Sequence, residues 1–572
     1  MRRYLLLFAS AMFSLLVVPP AHANAVVGNG TPGSCTNAAL QSALDRGGVI
    51  TFSCGGAVTI PITTTLFAQN GDFTVDGANL VTLEGTPGVR IMSYRSGFAG
   101  ANDGGTLRLR NLRIINARLT GDGADANGAA LLIRNQSANY PDNRPVVYID
   151  NVTFGNNASI QSNPNARGFD FGGAIYIQAG DLYVRNSRFG GNAARGGAGG
   201  AIHVLVANLE IDNSTFTNNY ATVDSPNDSE SGFGGAIYVD GTHPTSGPDI
   251  TIRNSTFEGN YADNYGGFAY INLQTRRGGV LTIENSRFIN NRVVNGVQGW
   301  GGALSGGTTF NGGTSSPNDI FIRNSLFKDN QVSSATQGGD GGAIGMAQAS
   351  DMTIENSIFV GNVAVNTGGS TNPRGRGGAI AHANGTLRIV HSTIVGNEAG
   401  WQGGGLFETT SSTQIINSII ANNTALNMSF GSAADKQNCS NTLSGGGNLQ
   451  FPAGVNCTPG ITIADPLLTG TEIPFLAASS PAIDSAGTGN CPATDYRGFT
   501  RPLGNGCDIG AIEGAGSPAD ADVNDDGLVS PADIVTILNG LGGTSMALDV
   551  DGNGQVEAGD ADIAVLYLGE RP

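Results

Sequence analysis

Apolar and polar residues alternate with a period of two along most of this chain, which predicts β-strands rather than helices. The clearest alternating stretches run from Ile175 to Ile177, from Leu182 to Arg185, from Leu209 to Asp212 and from Ile250 to Arg253. The stretches are short, and residues that tolerate turn conformations, namely Gly, Asn and Asp, bound them. One face of each predicted strand is therefore apolar and the other is polar.

These stretches belong to one repeated phrase with two halves. The first half reads Gly-Gly-Ala-Ile and begins at Gly172, Gly199, Gly234, Gly301, Gly341 and Gly377, with looser copies at Gly266 and Gly403. The second half reads Asn-Ser-x-Phe-x-x-Asn and begins at Asn151, Asn186, Asn213, Asn254, Asn285, Asn324 and Asn356, and its Phe gives way to Ile394 and Ile420. Successive copies lie 26 to 41 residues apart. A phrase repeated at such a period indicates one supersecondary unit stacked many times.

The unit is interpreted as one rung of a parallel β-helix, in which each rung pairs with its neighbours at a spacing of about 4.8 Å. Repeated Phe and Ile would then stack inside the coil, and repeated Asn would form amide ladders that satisfy buried polar groups. The doubled glycines would form a tight corner where a Cβ atom would clash. Loops of variable length at one corner would explain the uneven period; the candidates are residues 224–232, 242–247, 308–317 and 367–376.

The Gly-Gly-Ala-Ile and Phe-x-x-Asn phrases resemble the repeats of polymorphic outer membrane proteins and, more broadly, secreted right-handed parallel β-helix repeat proteins. The resemblance covers residues 101–430 and implies a mostly β fold, a right-handed solenoid. Residues 24–100 are expected to supply an N-terminal cap and the first rungs. Within that cap, residues 36–45 are predicted to form a short amphipathic helix with Leu40 and Leu44 on one face, followed by a strand over residues 49–52.

The chain ends carry signs of export. Residues 1–23 have a basic start, an apolar run and a small-x-small cleavage site, as in a bacterial-type secretory signal. The alternative is a transmembrane anchor, for which the apolar run is short, and no further apolar span follows it. Six cysteines fit an oxidising, extracellular or cell-surface destination. Nearest-neighbour pairing, Cys35 with Cys54, Cys439 with Cys457 and Cys491 with Cys507, is one of 15 possible connectivities. The net charge of −17 argues against nucleic acid as a partner.

Residues 431–515 resemble the choice-of-anchor Q region that follows such β-helices in secreted bacterial proteins. The ordered matches include Asp465-Pro466, Asp495-Tyr496-Arg497-Gly498, Arg501-Pro502 and residues 507–513. An Asp/Arg cluster of this kind can signal catalysis. Here it is interpreted as a set of structural ion pairs in a C-terminal capping segment.

Residues 516–572 contain two acidic loops of twelve residues with oxygen ligands at positions 1, 3, 5, 9 and 12, a Gly at position 6 and a carbonyl at position 7. This is the ligand pattern of a Ca²⁺ loop. The candidate ligands are Asp522, Asn524, Asp526, Leu528, Ser530 and Asp533 in the first loop, and Asp549, Asp551, Asn553, Gln555, Glu557 and Asp560 in the second. We therefore expect two calcium ions as the cofactors of this small helical domain.

A helix should leave each loop, the first capped by Ser530 and showing Ile534, Ile537, Leu538 and Leu541 on an apolar face. Two loops with a helix on the C-terminal side only resemble a type I dockerin, which implies a cohesin-like or cell-surface partner. Positions 10 and 11 are Pro531-Ala532 and Ala558-Gly559, not the hydroxyl pair common in cellulosomal dockerins. A related calcium module without a partner and an acidic solvated tail are the alternatives.

Two functional hypotheses follow. The first is a secreted or cell-surface β-helix for binding, adhesion or structure. Its long face or its variable loops would bind a protein partner or a glycan, and its calcium module would attach or stabilise it. The second is a polysaccharide lyase or glycoside hydrolase carried by its dockerin; parallel β-helices include both classes. Catalytic residues are not identified; the best candidates lie near Arg253, Arg276, Arg277 and Glu284, or near Asp170, Tyr176 and Tyr238. Carboxylates from neighbouring rungs that converge in one groove would favour the enzyme, and a uniform polar ladder would favour the binding protein.

Overall fold

The computed structural model describes residues 24–97, 104–136, 143–163, 171–225, 228–242, 249–273, 279–296, 299–307, 318–334, 339–346, 350–366, 375–408, 412–426, 437–470, 473–487, 489–514, 523–524 and 530–543, together with residues 548, 550, 556 and 564. All structural statements concern these residues. The predicted secretory signal and most of the two acidic loops lie outside them.

The described chain is mostly β, and most of its strands belong to three long parallel sheets. From Thr106 to Glu408, each turn of the chain adds a strand, or two strands in line, to sheet 1, then one to sheet 2, then one to sheet 3, before the chain returns to sheet 1. The turns before Thr106 add strands to sheets 1 and 3 only. Each strand pairs with its equivalent in the next turn, as in the pairing of Val146 with Asp181 and of Asp181 with Asn208. This is the arrangement of a β-solenoid, in agreement with the predicted class of fold.

Sheet 1 contains the strands Ala25–Val27, Gly48–Phe52, Val58–Ile62, Phe73–Gly85, Thr106–Ile115, Val146–Gly155, Asp181–Arg185, Arg188–Gly190, Asn208–Asp212, Thr215–Thr217, Ile250–Arg253, Thr256–Glu258, Val280–Glu284, Arg287–Ile289, Asn318–Arg323, Leu326–Lys328, Ser350–Glu355, Ile358–Val360, Gly385–Val390, Thr393–Val395, Thr413–Ile416, Ile419–Ala421, Ser444–Gly446, Leu449–Phe451 and Thr462–Ile463. Sheet 2 contains Arg118–Gly121, Ala158–Gln161, Ala193–Arg195, Tyr220–Thr222, Tyr261–Ala262, Arg292–Gly296, Gln331–Ser334, Val363–Asn366, Glu398–Ala399 and Thr424–Ala425. Sheet 3 contains Leu66–Gln69, Met92–Ser96, Leu131–Asn135, Ile175–Gln178, Ile202–Leu205, Ile237–Asp240, Ala269–Asn272, Leu304–Gly307, Ile344–Met346, Ile380–His382 and Leu406–Glu408. Two small pairs, Gly299–Trp300 with Gly339–Asp340 and Leu468–Thr469 with Phe475–Leu476, lie outside these sheets.

The coil interior contains the stacks and ladders that the repeated phrase predicts. The buried rings of Phe154, Phe189, Phe216, Phe257, Phe288, Phe327 and Phe359 stack on one another, with centroids of successive rings 4.5–5.3 Å apart. A second column is made of the last Asn of each phrase and continues to Asn438 after the repeats: Asn157, Asn192, Asn219, Asn260, Asn291, Asn330, Asn362, Asn397, Asn423 and Asn438. Each Nδ2 donates to the Oδ1 of the next Asn at 2.8–3.0 Å. The predicted aromatic stacking and the amide ladder are both confirmed.

The doubled glycines form a corner between sheets 2 and 3. The first Gly takes a positive φ, for example +62° at Gly234. A Cβ atom on the second, Gly235, would lie 2.1 Å from the carbonyl oxygen of Gly267 in the next turn. The strands that flank the predicted variable segments are not all the same: strands of sheets 2 and 3 flank residues 224–232 and 367–376, and strands of sheets 3 and 1 flank residues 242–247 and 308–317. The single variable corner that was expected is therefore wrong.

The first turn is covered by the predicted N-terminal helix, observed at Asn37–Leu44. The Thr36 side chain caps it by accepting a hydrogen bond from the backbone N–H of Ala39, and Leu40 and Leu44 are buried. A disulfide between Cys35 and Cys54 ties the helix to the adjacent strand; the pairs Cys439–Cys457 and Cys491–Cys507 are also formed. The nearest-neighbour connectivity is thus confirmed.

The segment after the repeats continues the coil and then turns back along it. Residues 437–463 add the last strands of sheet 1, and residues 464–514 pack against the outer face of that sheet. There the backbone N–H of Ala511 donates to Thr393 Oγ1 at 3.1 Å, and that of Gly510 donates to the Asn417 carbonyl at 2.9 Å. The region expected to act as a terminal cap therefore also lies alongside the coil. Among the described residues, no helix has the length and hydropathy needed to cross a membrane.

Candidate ligand-binding face

Sheet 1 presents its polar side chains outward because alternate residues of each strand point into the coil. In Ile250–Arg253, for example, Ile250 and Ile252 are fully buried while Thr251 and Arg253 are partly exposed. The outward positions align from turn to turn into rows. The middle row consists of Thr74, Arg108, Tyr148, Tyr183, Glu210, Thr251, Thr282, Phe321, Thr353, Arg388 and Gln414.

The neighbouring outward row alternates strictly in charge. It contains, in order along the coil, Asp76, Arg110, Asp150, Arg185, Asp212, Arg253, Glu284, Arg323 and Glu355. Ion pairs join Arg110 to Asp76 at 2.9 Å, Arg253 to Asp212 at 3.3 Å and Arg323 to Glu284 at 3.0 Å. Skipping one turn would place like charges side by side, which is unfavourable. We therefore interpret this row, the charge ladder, as a device that fixes the register of the turns.

Two acid groups of the charge ladder, Asp76 and Asp212, have a lowered pKa. Partial burial opposes ionisation of Asp212, but hydrogen bonds from Asn254 and Arg253 and the charges of Arg253 and Arg185 hold its pKa below its ordinary value. The pKa of Asp76 is lowered for the same reasons. Burial opposes ionisation, but hydrogen bonds from Asn111 and from a backbone N–H, and the charge of Arg110, favour the ionised form. These carboxylates are committed to structural partners and are poorly placed to act as proton donors.

A groove of about 540 Å³ lies on sheet 1 toward the C-terminal end of the coil. Its wall and floor are formed by Asp319, Phe321, Asp351, Met352, Thr353, Thr386, Leu387, Arg388, Ser412, Gln414 and Ser444. Asp351 Oδ1 accepts hydrogen bonds from the backbone N–H and the hydroxyl of Thr386, at 3.0 and 2.5 Å. The Arg388 guanidinium donates to Asn490 Oδ1 at 2.8 Å, which fixes it at the edge of the groove. A volume of this size falls within the range of small-ligand sites.

A smaller hollow of about 180 Å³ lies on the same face toward the N-terminal end. Arg108, Tyr148 and Tyr183 line it from the middle row, and Arg110, Asp150 and Arg185 line it from the charge ladder. The Tyr148 and Tyr183 rings stack at 4.9 Å, and the Arg108 guanidinium lies 4.9 Å from the centroid of Tyr148.

Sheet 3 has an aromatic cluster on its outer side. Tyr176, His203 and Tyr238 are almost fully buried and lie in successive turns, with ring centroids 4.9 and 4.8 Å apart. Phe233 and Tyr270 extend the cluster, 5.5 Å from each other. Burial lowers the pKa of His203 to about 3, so it stays neutral. The cluster is a small satellite core on the outer side of sheet 3.

The candidate catalytic residues are not gathered into one site by the described structure. Arg253 pairs with Glu210 at 2.7 Å and also with Asp212, and Glu284 pairs with Arg323. Tyr176 and Tyr238 belong to the buried aromatic cluster on a different sheet. The remaining candidates, Asp170, Arg276 and Arg277, lie outside the described residues.

The predicted calcium ligands are described at three of their twelve positions: Asn524, Ser530 and Asp533. Ser530 and Asp533 form a reciprocal capping box at the start of the helix Pro531–Asn539. Asp533 Oδ1 also accepts a hydrogen bond from the backbone N–H of Asn524 at 3.2 Å, so positions 3, 9 and 12 of the first loop converge. Burial alone would raise the pKa of Asp533, but these hydrogen bonds hold it below its ordinary value. Both oxygens of the Asp533 carboxylate thus accept hydrogen bonds from within the loop.

The nine other candidate ligands, Asp522, Asp526, Leu528, Asp549, Asp551, Asn553, Gln555, Glu557 and Asp560, lie outside the described residues. Within the described part, no group of three or more His, Cys, Asp or Glu side chains is arranged to hold a metal ion. The observed helix begins as predicted and Ile537 is buried, but Leu538 and Leu541 are 45% and 46% exposed. The expected apolar face is therefore only partly covered.

The segment 464–514 contains a buried ionic cluster whose position against sheet 1 was not predicted. Arg501 and Glu513 form an ion pair at 2.6 Å, with both side chains almost fully buried, and Arg497 pairs with Asp495 at 2.9 Å. His391, which replaces Asn in the repeated phrase, lies against this cluster and contacts the Asp508 carbonyl at 3.0 Å. The interpretation of these residues as structural ion pairs agrees with the geometry, but their place on sheet 1 was not foreseen.

One pattern in the sequence indicates that another segment packs on the outer face of sheet 1. The outward position before the stacked Phe or Ile is polar in early turns, as in Thr215, Thr256 and Arg287, and becomes Leu326 and then Ile358. Both are fully buried, in a cluster with Phe475, Ala511 and Ile512. An outward row that turns apolar indicates that another segment covers it.

Comparison with protein-family models, with curated proteins and with solved structures gave no match.

Proposed function

We propose that this protein is a secreted or cell-surface binding module, for adhesion or structure, whose polar face on sheet 1 holds a glycan. The observation that carries this proposal is the groove of about 540 Å³ on that face. An open groove on a rigid, repetitive sheet can hold an extended polymer without rearrangement, which keeps the entropic cost of binding low. Three disulfides in the described chain support an extracellular destination.

The chemistry of the groove suits a neutral or weakly charged sugar. Phe321 offers an apolar surface, and the Arg323 guanidinium lies 5.1 Å from its ring centroid on one side. Thr353, Ser412 and Gln414 supply hydroxyl and amide groups that both donate and accept hydrogen bonds. A ligand with an apolar ring face and hydroxyl edges matches this combination.

The alternative is a polysaccharide-degrading enzyme, and one observation favours it. Asp319 and Asp351 occupy equivalent positions in adjacent turns and both line the groove, and a pair of carboxyl groups is what a glycoside hydrolase requires. Against this, Asp351 is already bonded to Thr386. The other described carboxylates on the face belong mainly to the charge ladder. We therefore rank binding before hydrolysis.

We further propose that residues 516–572 bind two calcium ions as a dockerin-like module and serve for attachment. The helix Pro531–Asn539 and its neighbouring residues leave Val535, Leu538 and Leu541 exposed, and an exposed apolar surface of this kind suits a protein partner. When bound, calcium would neutralise the clustered carboxylates of the two loops. The resemblances to right-handed β-helix repeats, to the choice-of-anchor Q region and to type I dockerins stand as part of this proposal.

The groove is tested by substitution. Once a retained glycan has been found by affinity electrophoresis, Phe321→Ala and Arg388→Ala should each weaken binding by roughly three- to tenfold, the effect of losing one aromatic or hydrogen-bonding contact. Thr282→Ala, in the same row but outside the groove, is the matched control and should bind like the parent. Equal binding by all three variants would place the ligand elsewhere.

The calcium proposal is tested by calorimetry of the mature chain. We expect two Ca²⁺ ions per chain, reduced to one by Asp522→Ala or by Asp549→Ala, because each substitution removes the first ligand of one loop. Binding of no calcium by the parent chain would refute the module.

A further inference from the structure

A second, separate site emerges from the smaller hollow at the N-terminal end of sheet 1. Its lining contains three arginines, Arg108, Arg110 and Arg185, against one carboxylate, Asp150. Two of these arginines are paired with carboxylates beside the hollow, so its binding chemistry depends on Arg108.

The arginines of the hollow are not equivalent. Arg110 is paired with Asp76, and Arg185 is paired with Glu210 at 3.0 Å. Arg108 lies in the middle row between Thr74 and Tyr148, and within the described residues it has no carboxylate partner. Its only described side-chain contact is the ring of Tyr148, 4.9 Å away. The guanidinium is thus held in place by a π face while its N–H donors stay available.

Two phenol groups extend this donor set along the coil. Tyr148 and Tyr183 stack in adjacent turns, 4.9 Å apart and inclined by 16°, and neither hydroxyl has a hydrogen-bond partner among the described residues. Burial raises the pKa of Tyr183, as do the nearby charge of Asp181 and the neighbouring Tyr148, so its hydroxyl keeps its proton at neutral pH. Arg108, Tyr148 and Tyr183 therefore form a short column of fixed, uncommitted donors, which we name the donor column.

We propose that the donor column binds a uronate unit of an acidic polysaccharide, with the sugar carboxylate on Arg108 and sugar hydroxyls on Tyr148 and Tyr183. A guanidinium can grip a carboxylate through two parallel hydrogen bonds, and charge-assisted bonds of this type are the strong ones. The hollow of about 180 Å³ is smaller than the usual site for a whole ligand, so it accepts one unit of a chain that lies across the face.

An acidic peptide is the competing class of ligand. Extended peptides commonly bind by adding a strand to a free sheet edge. Here the strands under the donor column, Thr106–Ile115, Val146–Gly155 and Asp181–Arg185, are each paired on both sides. The column offers side-chain donors without a free backbone edge, which favours the sugar. This site lies in different turns from the groove of the proposed function and does not depend on it.

The test is a calorimetric titration of the mature chain with α-1,4-linked trigalacturonate. Its fully methyl-esterified form and a short poly-glutamate peptide serve as comparison ligands. We expect the acid to bind, with affinity that falls as salt is added, and the ester and the peptide to bind at least about tenfold more weakly because they lack either the charge or the hydroxyls. Poly-glutamate binding as tight as that of the sugar would overturn the assignment in favour of a peptide.

Substitutions locate the site. Arg108→Ala should lower affinity for trigalacturonate by about tenfold or more, the loss expected for a charged hydrogen bond, and Arg108→Lys should restore part of it. Tyr148→Phe should cost a few-fold. The control is Arg113→Ala, an exposed arginine on the same strand in its second half, which removes the same charge and should leave binding unchanged. Equal losses in the Arg108 and Arg113 variants would reduce the effect to general charge and refute the site, and so would unchanged binding by Arg108→Ala. Phe321→Ala should not affect this ligand, which separates this result from the proposed function.

Discussion

Asn260→Ala is the substitution that most sharply tests how the coil is held together. The Asn260 side chain makes four hydrogen bonds inside the coil. Its Nδ2 donates to the Phe216 carbonyl at 3.0 Å and to Asn291 Oδ1 at 2.9 Å, and its Oδ1 accepts from the backbone N–H and from the Nδ2 of Asn219, both at 3.0 Å. The residue is fully buried, and no solvent is at hand to replace these partners.

The magnitude follows from the groups left unpaired. Truncation strands two donors of Asn219, its backbone N–H and one Nδ2 hydrogen. The Phe216 carbonyl remains within a paired strand, and Asn291 Oδ1 still accepts from the backbone N–H of residue 260 at 3.1 Å. Each buried polar group without a partner costs about 1–3 kcal/mol, and partial relaxation reduces the sum, so we expect a loss of about 2–5 kcal/mol. In a stacked-repeat fold the loss acts first on the local turns.

The assay combines urea unfolding followed by circular dichroism with hydrogen exchange of the peptide that contains Asn219. Exchange there should accelerate strongly in the variant while turns far along the coil stay protected. The matched control is Asn254→Gly, which removes an exposed Asn of the same turn but keeps its positive φ of +51° available; it should cost less than about 1 kcal/mol. A loss below 1 kcal/mol for Asn260→Ala, or one equal to that of the control, would refute the view that the amide ladder stabilises the coil.

Three further predictions address the corner, the ionic cluster and pH. Gly235→Ala should prevent folding or reduce the secreted yield sharply, because its Cβ atom would lie 2.1 Å from a carbonyl oxygen of the next turn, whereas Gly446→Ala, with no atom within 4 Å, should behave like the parent in a secretion and dichroism assay. Glu513→Gln should destabilise the segment 464–514 by about 3–5 kcal/mol, since it leaves the buried charge of Arg501 unpaired; faster limited proteolysis of that segment is the readout, and unchanged proteolysis would contradict the role of the pair. Burial raises the pKa of Asp508 to about 6, above its value in the unfolded chain, so its contribution to stability is fully present below pH 4 and is lost as the pH rises through about 6. Asp508→Asn should flatten this part of the stability profile in thermal melts between pH 4 and 7, and an identical pH dependence would show that another group titrates.

The repeated phrase made the interior predictable because its spacing is tied directly to the geometry of a rung. A Phe or Asn that recurs at the same place in every turn must contact its own copy, and the stacks from Phe154 to Phe359 follow from that alone. The disulfide pairs followed from proximity in sequence. The N-terminal helix followed from the apolar pair Leu40 and Leu44 on one face of residues 36–45, and its cap at Thr36 became apparent only in the structure.

The outer faces were less predictable because they depend on which turns become neighbours. The charge ladder could not be predicted from the sequence, because a segment of variable length separates Asp212 from Arg253. Which residues pair across turns depends on the register of the strands. The path of residues 464–514 back along sheet 1 is likewise a long-range contact. The hollow at Arg108 depends on side chains from three different turns. The residues of the acidic loops 522–533 and 549–560 form a local pattern, and their calcium binding stays a prediction.

The most direct test of the central claim is to incubate the mature chain with pectins, alginate, xylan and glycosaminoglycans, and to measure both retention on each polymer and the release of new chain ends. We predict retention on at least one glycan, abolished or weakened by substitutions on the polar face of sheet 1, with no new reducing or unsaturated ends. New ends would show that the protein is a polysaccharide-degrading enzyme and would contradict the account of sheet 1 as a binding face.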